Sequence, residues 1–435
     1  MKIRSIYLLL VLLLLLVPYS ICTDSSSKII HYNSEYNLPP PLKMNASIEY
    51  LLHRRTCIRS FSSDPVTDEQ LSTILWAAYG LRECGKQTIS PINGSLAVKI
   101  YVMKEEAAYW YNPINHSLIH HIDGDYRGMA QRWAPVVLGL VWDRSLNKKE
   151  DIVSAQIGQV GQNLFLSSSS LGLGLVPTSD YISPLLNIDL PTNEVGKLVI
   201  PLGHPTNQTI WKYRPWYFSG LPRIKDSSSC LTNLLKNKTS TESFEQEKLS
   251  KSNISQLLWA CYGYSYYIDV QSSSSIKGQR HRTVPSGHGY YPLEIYAVTP
   301  QGIYHYIHGL THMDFYGLPI LSFLLRIRKG DYIEKIAECS QSFVKDSQFL
   351  IISVLNIKHT QGRGLRGDDF SAPEYRFNWF YEAGSCAQNV LLEATAWGLS
   401  GNIVEISNQE DICRILKLNQ DYIPQFVIPI GRAST

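Results

Sequence analysis

The chain has 435 residues, of which 44% are hydrophobic and 18% are charged, and its formal net charge is +3. This composition is typical of a globular protein, and the length allows two domains of ordinary size. Because the net charge is close to neutral and no stretch forms a basic stripe, nucleic acid is not an implied partner.

The N-terminus has the pattern of a secretory signal peptide. Lys2 and Arg4 precede an unbroken apolar run from Ile6 to Val17. This run is shorter than the roughly 18 apolar residues of a membrane-spanning helix, so a cleaved signal over residues 1–22 is favoured over a retained anchor. We therefore expect a protein that is secreted or held at the outer face of the cell membrane, with an extended leader over residues 23–45.

Sequons and cysteines agree with export but do not define a site. Eight cysteines are scattered without a C-x-x-C spacing, and the histidines form no H-E-x-x-H pattern, so we expect no metal site. Disulfides are permitted outside the cell, but spacing alone does not pair the cysteines. Chance is the alternative explanation for the N-x-S/T sequons, which lie at Asn45, Asn93, Asn115, Asn207, Asn237 and Asn253.

The sequence repeats itself in order. Residues 71–80 (LSTILWAAYG) and 254–263 (ISQLLWACYG) both have helical spacing and end at a glycine. A strand-like segment follows each of them, at residues 97–103 (AVKIYVM) and 292–298 (PLEIYAV). These matches predict two equivalent helix–strand units.

Later landmarks continue the same order. Apolar helices begin around Gly158 and Gly384, and each half closes on an Ile-Pro-x-Gly strand, at residues 200–203 and 428–431. The second helix of each half also ends in a glycine-bearing turn, at residues 172–174 and 398–401. Five landmarks in one order favour a tandem duplication over two unrelated α+β domains. The predicted boundaries are a first domain at residues 46–218, a linker at 219–247 and a second domain at 248–435.

Three motifs carry a family resemblance. They are RRTCIRSF at residues 54–61, PSGHGYYPLEIY at 285–296 and EAGSCAQN at 382–389. Their order resembles the nitroreductase superfamily, and specifically its SagB-type dehydrogenase branch, over nearly all of residues 50–432. The resemblance implies an α+β fold, a mixed but mainly antiparallel sheet flanked by helices, that works as a dimer with FMN at the interface. Two such domains in one chain would pack as an intrachain pseudo-dimer, and the chain would act as a monomer.

The first half carries the family's phosphate-binding residues. The opening motif maps to Arg55, Thr56, Cys57 and Arg59, with Cys57 in place of the family's serine. Two guanidinium groups suit a phosphate because they offer forked donors in fixed geometry. The K-x-R that completes the family's phosphate site is matched by Lys212 and Arg214.

Two further loops are implied at the flavin ring. In the first half, Pro177, Thr178 and Ser179 lie at the turn that the family places beside the ring.

The second half has the segment that crosses to the other subunit's flavin, at Pro285, Ser286, Gly287 and His288, with His288 where the family usually has glycine. The second half lacks the phosphate-binding pieces, and the first half matches the crossing segment poorly at residues 90–94. The resemblance therefore implies one FMN per chain.

In this family FMN carries the hydride chemistry. The implied substrate is a small organic or peptide-derived molecule, and the electron donor is NAD(P)H or another reductant. Tyr375 matches the tyrosine of the family's proton-handling Lys-Tyr pair and is the candidate acid or base, although a structural tyrosine is the alternative. Glu374 stands in the place of the lysine. The competing functions are a flavin-binding protein without catalysis and an exported interaction protein.

Overall fold

The computed structural model describes residues 34–206, 217–267, 280–308, 320–361 and 371–434. The predicted signal peptide, most of the predicted leader, Lys212 and Arg214 lie outside these ranges. The described part of the chain is an α+β protein with two large sheets and a separate two-stranded pair.

The two repeated helices begin at side-chain caps. Thr67 and Gln70 form a capping box, so the first helix starts three residues before the apolar repeat predicted at residue 71. Ser250 caps the second helix in the same way through the backbone N–H of Asn253. The described α-helices are α1 (Ile48–Arg54), α2 (Asp68–Tyr79), α3 (Glu150–Ser170), α4 (Ser183–Leu186), α5 (Leu231–Asn237), α6 (Lys251–Tyr262), α7 (Ile333–Glu338), α8 (Arg376–Ala396) and α9 (Gln409–Leu416).

The first sheet is antiparallel and has seven strands in the order β1-β4-β3-β2-β5-β7-β6. Its strands are β1 (Glu35–Asn37), β2 (Val98–Met103), β3 (Ala107–Asn112), β4 (Ser117–Asp123), β5 (Val136–Asp143), β6 (Gly174–Leu175) and β7 (Glu194–Gly203).

The second sheet has the order β15-β17-β14-β11-β12-β13-β8, and β16 also pairs with β17, whereas β9 and β10 form a separate pair. The strands are β8 (Tyr217–Ser219), β9 (Tyr264–Tyr267), β10 (Arg280–Arg282), β11 (Leu293–Thr299), β12 (Gly302–Ile307), β13 (Ile320–Lys329), β14 (Phe349–Asn356), β15 (Ser400–Gly401), β16 (Val404–Glu405) and β17 (Tyr422–Gly431).

The two sheets have the same topology. The order β4-β3-β2-β5-β7-β6 in the first matches β13-β12-β11-β14-β17-β15 in the second, strand for strand. The strands predicted at residues 97–103 and 292–298 are β2 and β11, and the two Ile-Pro-x-Gly segments end β7 and β17. The predicted α+β fold with two related halves is therefore confirmed.

Helices α3 and α8 join the halves by a close crossing at two glycines. A Cβ added to Gly158 would overlap the carbonyl oxygen of Tyr381, and one added to Gly384 would overlap that of Ala155. Each glycine thus meets the residue three positions before the other. This approach lets the two halves share their cores, because Ala155 packs in the core of the second half and Tyr381 in that of the first.

Buried amides reinforce the crossing. The Nε2 of Gln162 donates to Asn389 Oδ1 at 2.8 Å, and the Nε2 of Gln388 donates to Asn163 Oδ1 at the same distance. Gln162 also reaches the backbone carbonyl of Thr283, and Gln388 reaches that of Thr88. The hydrogen bonds are reciprocal, which is the signature of a pseudo-twofold axis between the helices.

The segment predicted to be a linker contains regular structure. Helix α5 lies inside residues 219–247 and buries Leu231, Leu234 and Leu235. In addition, β8, which includes the last residues of the predicted first domain, pairs with β13 of the second sheet. The Ser-, Lys- and Asn-rich composition of this segment predicted a linker, but its leucines in α5 are buried in the core.

Helix α5 begins a counterpart of the opening motif that sequence reasoning assigned to the first half alone. Residues 234–244 (LLKNKTSTESF) follow the order of residues 51–61 (LLHRRTCIRSF). Arg55 and Lys238 are the C-caps of α1 and α5, and their backbone N–H groups donate to Leu51 and Leu234 at 2.9 Å. The opening motif therefore has a structural counterpart in the second half, but Lys238 stands in place of Arg55 and residues 234–244 contain no arginine.

Within the described ranges, no helix is long and apolar enough to span a membrane.

A Gly384→Ala substitution tests the helix crossing. We expect it to lower the free energy of unfolding by roughly 3 kcal/mol, because overpacking at a backbone contact outweighs the gain of about 1 kcal/mol in helix propensity. Urea denaturation followed by circular dichroism measures the change. Gly128→Ala is the control, since a Cβ there meets open space. Equal midpoints for Gly384→Ala and the wild type would contradict the crossing.

Candidate functional site

A buried polar cluster lies where the two halves meet. It consists of Arg55 from the first half and Tyr262, Arg282, Ser286 and Glu382 from the second. Arg55 donates from Nη2 to the carbonyl oxygen of Arg282 at 3.1 Å, and each of these two arginines is only 1% exposed. The Arg282 guanidinium lies over the Tyr262 ring, 4.3 Å from its centroid. We call this set the arginine cluster.

Glu382 is the carboxylate of the arginine cluster. It accepts hydrogen bonds from Tyr262 Oη and Ser286 Oγ, both at 2.5 Å, and its side chain is fully buried. Burial raises the pKa of Glu382 to about 7, against the lowering effect of its two hydroxyl donors and of Arg282 and Arg55. Glu382 also fixes the loop that follows Pro285, because Ser286 Oγ accepts from the backbone N–H of Tyr291.

A second contact between the halves begins one residue further along that loop. Ser179 Oγ donates to Asn378 Oδ1 at 3.0 Å, and a Cβ on Gly287 would lie 3.3 Å from that of Asn378. His288 Nε2 lies 3.2 Å from Asp180 Oδ2, and this hydrogen bond lowers the pKa of Asp180. We call this set the loop contact, and together with the arginine cluster it forms the composite site.

His288 adopts a φ of 55°, in the left-handed region that glycine enters most readily. This conformation gives a physical reason for the glycine that the family resemblance places there. In this chain, the contact of the His288 side chain with Asp180 of the other half accompanies this sparsely populated conformation.

The structure brings together predicted residues from both halves. Arg55 is buried, while Thr56 and Cys57 are half-buried beside it and Arg59 is exposed. Thr178 is held against β7 by a hydrogen bond from its backbone N–H to Val199 at 2.8 Å. Pro177 and Ser179 flank it, and Pro285, Ser286, Gly287 and His288 follow β10.

Tyr375 ends a short 3-10 turn at residues 373–375 and is the N-cap residue of α8. It is half-buried and packs against the core of the second half. It therefore precedes Asn378 of the loop contact by less than one helical turn. Both the catalytic and the structural interpretation of Tyr375 are compatible with this position.

Sequence reasoning missed Arg282, Asp180 and Asn378 and gave Glu382 no role. For Glu382 a signal was present, since it is an acidic residue inside the apolar run of α8. Arg282 stands three residues before Pro285, and only its burial distinguishes it from the other basic residues of the chain. Asn378 and Asp180 gave no signal, because their importance comes from the residues that face them across the two halves.

The pseudo-symmetric position, which we call the mirror site, has a different chemistry. Lys238, the counterpart of Arg55, is 1% exposed and donates from Nζ to Ser90 Oγ and to Gln388 Oε1, both at 3.1 Å. Burial and the charge of Arg82 hold the pKa of Lys238 well below its usual range. At the rim, Glu405 accepts from Asn93 and pairs with Lys149 at 2.8 Å. The chain's own residues thus supply acceptors to the cation of this position.

The arginine cluster is not satisfied in this way. Within the described part of the chain, Nε and Nη1 of Arg55 are buried and have no hydrogen-bond partner. A buried charged donor without an acceptor costs more than the 1–3 kcal/mol typical of an unsatisfied polar group. The fit is therefore good for an anionic ligand such as the phosphate of FMN, with Arg55 as its forked donor and Thr56 beside it.

The pKa of Glu382 predicts a stability difference that depends on pH. Because its pKa in the folded state, about 7, lies above the ordinary glutamate value of 4.5, the folded state binds the proton more tightly. The stabilising contribution is therefore present below pH 4.5 and is lost as the pH rises to about 7, by up to about 3 kcal/mol.

Urea unfolding of flavin-free protein at pH 5 and pH 8 measures this loss. From pH 5 to pH 8, we expect the free energy of unfolding to fall less in Glu382→Gln than in the wild type, since the variant has no carboxyl to titrate. Glu374→Gln is the control because Glu374 is exposed. A wild type and Glu382→Gln variant with the same dependence on pH would contradict the assignment.

Comparisons with known proteins agree with this architecture. A family model described as "Nitroreductase family" matches residues 51–204 and 235–432, one match for each half. A curated protein of Methanocaldococcus jannaschii, described as a putative nitroreductase, is 30% identical over 178 residues, which cover 36% of this chain and 90% of the relative.

A solved structure that spans both halves has the same fold. The crystal structure of a protein from Anabaena variabilis, described as a putative nitroreductase, is 14% identical, with a TM-score of 0.62, over 89% of this chain and 100% of the other. One from Ralstonia eutropha, described in the same words, is 25% identical, with a TM-score of 0.38, over 40% of this chain and 90% of the other. With a match in each half and the repeated topology, this chain belongs to the nitroreductase family.

Proposed function

We propose that this protein is an FMN-dependent oxidoreductase that binds one FMN per chain at the composite site. The observation that carries the proposal is a pair of buried nitrogens on Arg55 that have no partner among the residues the structure describes. Arg55 belongs to the phosphate-binding motif that the resemblance implies. The family membership supports redox chemistry, and the loop contact joins the turn at residues 177–179 to the crossing loop at 285–288. The mirror site supports a single cofactor, because Lys238 is already paired there.

FMN, when bound, supplies hydride transfer. The chain's own residues provide binding, orientation and exclusion of water. Arg55 provides charge-assisted donors to the phosphate, with Thr56 and Cys57 beside it. Glu382 holds Ser286 and so fixes the crossing loop, while Asp180 and Ser179 hold the same loop region through His288 and Asn378. The pocket edge is thereby built from both halves.

We propose a small organic or peptide-derived molecule as substrate and NAD(P)H or another reductant as electron donor. The resemblance to the SagB-type branch suggests a peptide-derived ring. However, Glu374 replaces the lysine of the proton-handling pair, so azoline oxidation is not part of the proposal. Tyr375 is the proposed acid or base. Export, proposed from residues 1–22, favours a donor other than NAD(P)H, which is scarce outside cells.

The cofactor assignment predicts a defined stoichiometry and a sensitive residue. We expect one FMN per chain from absorbance and protein quantitation of the purified protein. Arg55→Gln should weaken FMN binding at least about tenfold in a fluorescence titration, because it removes a charge-assisted donor. Arg54→Gln is the matched control, since the Arg54 guanidinium lies over the Tyr50 ring, 4.3 Å from its centroid. Two FMN per chain, or unchanged affinity in Arg55→Gln, would refute the composite site.

A redox assay separates catalysis from flavin binding alone. We expect the bound flavin to be bleached by dithionite or NAD(P)H and then reoxidised by nitroaromatic or quinone acceptors in repeated turnovers. Tyr375→Phe should reduce turnover roughly tenfold or more while leaving FMN affinity unchanged, if Tyr375 transfers a proton. Flavin that binds but never turns over would favour the lapsed, flavin-binding alternative. A colourless protein that takes up no flavin would favour the interaction protein.

A further inference from the structure

Arg282 is a buried cation that neither the family motifs nor the comparisons assign. It ends β10, immediately before the crossing loop, and is 1% exposed. Three tyrosine rings surround its guanidinium, with centroids 4.3 Å (Tyr262), 4.9 Å (Tyr291) and 5.1 Å (Tyr264) from its central carbon. Such rings stabilise a cation through their π faces, but they accept no strong hydrogen bond.

Arg282 shares the unsatisfied state of Arg55. Its Nε and Nη1 are buried and have no hydrogen-bond partner within the described ranges. The two guanidinium groups come from different halves and are linked through the bond from Arg55 Nη2 to the Arg282 carbonyl. Four buried nitrogen atoms that bear N–H groups, two on each arginine, therefore lack an acceptor within the described ranges.

The charge of the cluster is also unbalanced. Glu382 is its carboxylate, and burial favours the protonated form of that carboxyl by raising its pKa. Burial also raises the pKa values of Tyr262, Tyr291 and Cys386, which lie near Arg282, so these three groups are neutral. The two arginines thus leave a net positive charge of at least one, and buried charge is stable only when an opposite charge compensates it.

The mirror site shows how this chain treats buried cations that need no ligand. Arg82 donates from Nε to the carbonyl of Gln87 at 3.0 Å and from Nη1 to the carbonyl of Lys238, while Lys238 itself donates to Ser90 and Gln388. Neither Arg82 nor Lys238 has a buried side-chain nitrogen without a partner in the described part of the chain. The two positions therefore differ: the cations of the mirror site have protein acceptors, whereas each arginine of the arginine cluster has two buried nitrogens without one in the described part of the chain.

We propose that Arg282 and Arg55 form one buried binding site for a phosphate monoester, in which each half contributes one forked cation. A tetrahedral dianion offers acceptors in several directions, which suits two guanidinium groups better than a planar carboxylate does. The phosphate comes from FMN or from a phosphorylated substrate. The assignment to FMN rests on the proposed function, whereas the assignment to another phosphorylated ligand does not.

Binding of inorganic phosphate to flavin-free protein tests the site directly. The probe is potassium phosphate against potassium chloride at equal ionic strength, and the readout is the thermal unfolding midpoint. We expect phosphate to raise the midpoint of the wild type and the gain to be lost in Arg282→Gln and in Arg55→Gln. Arg328→Gln is the matched control, because Arg328 also has a buried Nε without a partner but contacts Tyr332 and Arg414 instead. A phosphate gain that persists in Arg282→Gln would overturn the inference.

Ligand titrations identify the source of the phosphate. If FMN supplies it, Arg282→Gln should weaken FMN binding at least about tenfold and riboflavin binding less than about twofold, because only FMN carries the dianion. Loss of the phosphate gain with unchanged FMN affinity would keep the site but assign it to another phosphorylated ligand. A protein that binds phosphate but no FMN would refute the proposed function and leave this site standing.

A conservative variant separates binding from folding. Arg282→Lys keeps the charge but loses the fork, and we expect it to fold and to lose about five- to tenfold in phosphate affinity. In the absence of ligand its midpoint should not fall, since the wild-type arginine makes no side-chain hydrogen bond from Nε or Nη1. A lowered ligand-free midpoint together with full phosphate affinity would show a purely structural arginine and overturn the inference.

Discussion

The rest of the structure depends on the crossing of α3 and α8. Gly158 and Gly384 let the two helix backbones touch, and each glycine meets a carbonyl of the other helix. The reciprocal bonds between Gln162 and Asn389 and between Gln388 and Asn163 then fix the rotation of one half about the other. Because Gln162 and Gln388 also bind the backbone that precedes each crossing segment, the same contact that joins the halves sets the position of the loops at both sites.

A symmetric frame carries two sites with unlike chemistry. The strands match one for one, and the C-caps of α1 and α5 are equivalent positions. The first C-cap is Arg55, whereas the second is Lys238. Lysine is a single point of charge on a flexible stem, so two neutral oxygens can satisfy it in the interior. Arginine has five donors in a rigid fork. The tyrosines and the single carboxyl of Glu382 cannot satisfy the donors of two buried arginines at once. The residue at this one C-cap position therefore decides at which site the protein satisfies its own buried cation and at which site a ligand is needed to do so.

The composite site also illustrates how a buried carboxyl organises a loop. Glu382 is far from any solvent that would stabilise its charge, yet it takes two short hydrogen bonds from hydroxyl groups. Through Ser286 these bonds fix the start of the crossing loop. The contact between His288 and Asp180 holds the following residues of the loop against the other half. The two anchors come from different halves, so the loop geometry exists only when the halves are packed together.

The sequence by itself determined the family fold. Amphipathic spacing, helix-ending glycines and the paired Ile-Pro-x-Gly strands are local signals, since a residue's neighbours in sequence decide helix or strand. The candidate residues Arg55, 177–179 and 285–288 came from the family resemblance of short motifs, which are also local in sequence. Local signals failed to predict two features of the second half. Helix α5 was not predicted, because three core leucines lie in a segment of polar composition. Lys238 was not recognised as the counterpart of Arg55, because the two residues share a position at the end of a helix and not a residue type.

Only the tertiary structure decided which polar residues meet. Arg282, Asn378 and Asp180 are ordinary polar residues along the chain, and their roles arise from partners about 100 to 230 positions away in sequence. Burial, which leaves nitrogens of Arg55 and Arg282 without acceptors and raises the pKa of Glu382, is likewise a property of the packed halves. The free energy of a charge depends on its surroundings, and in this protein the surroundings are supplied by the other half.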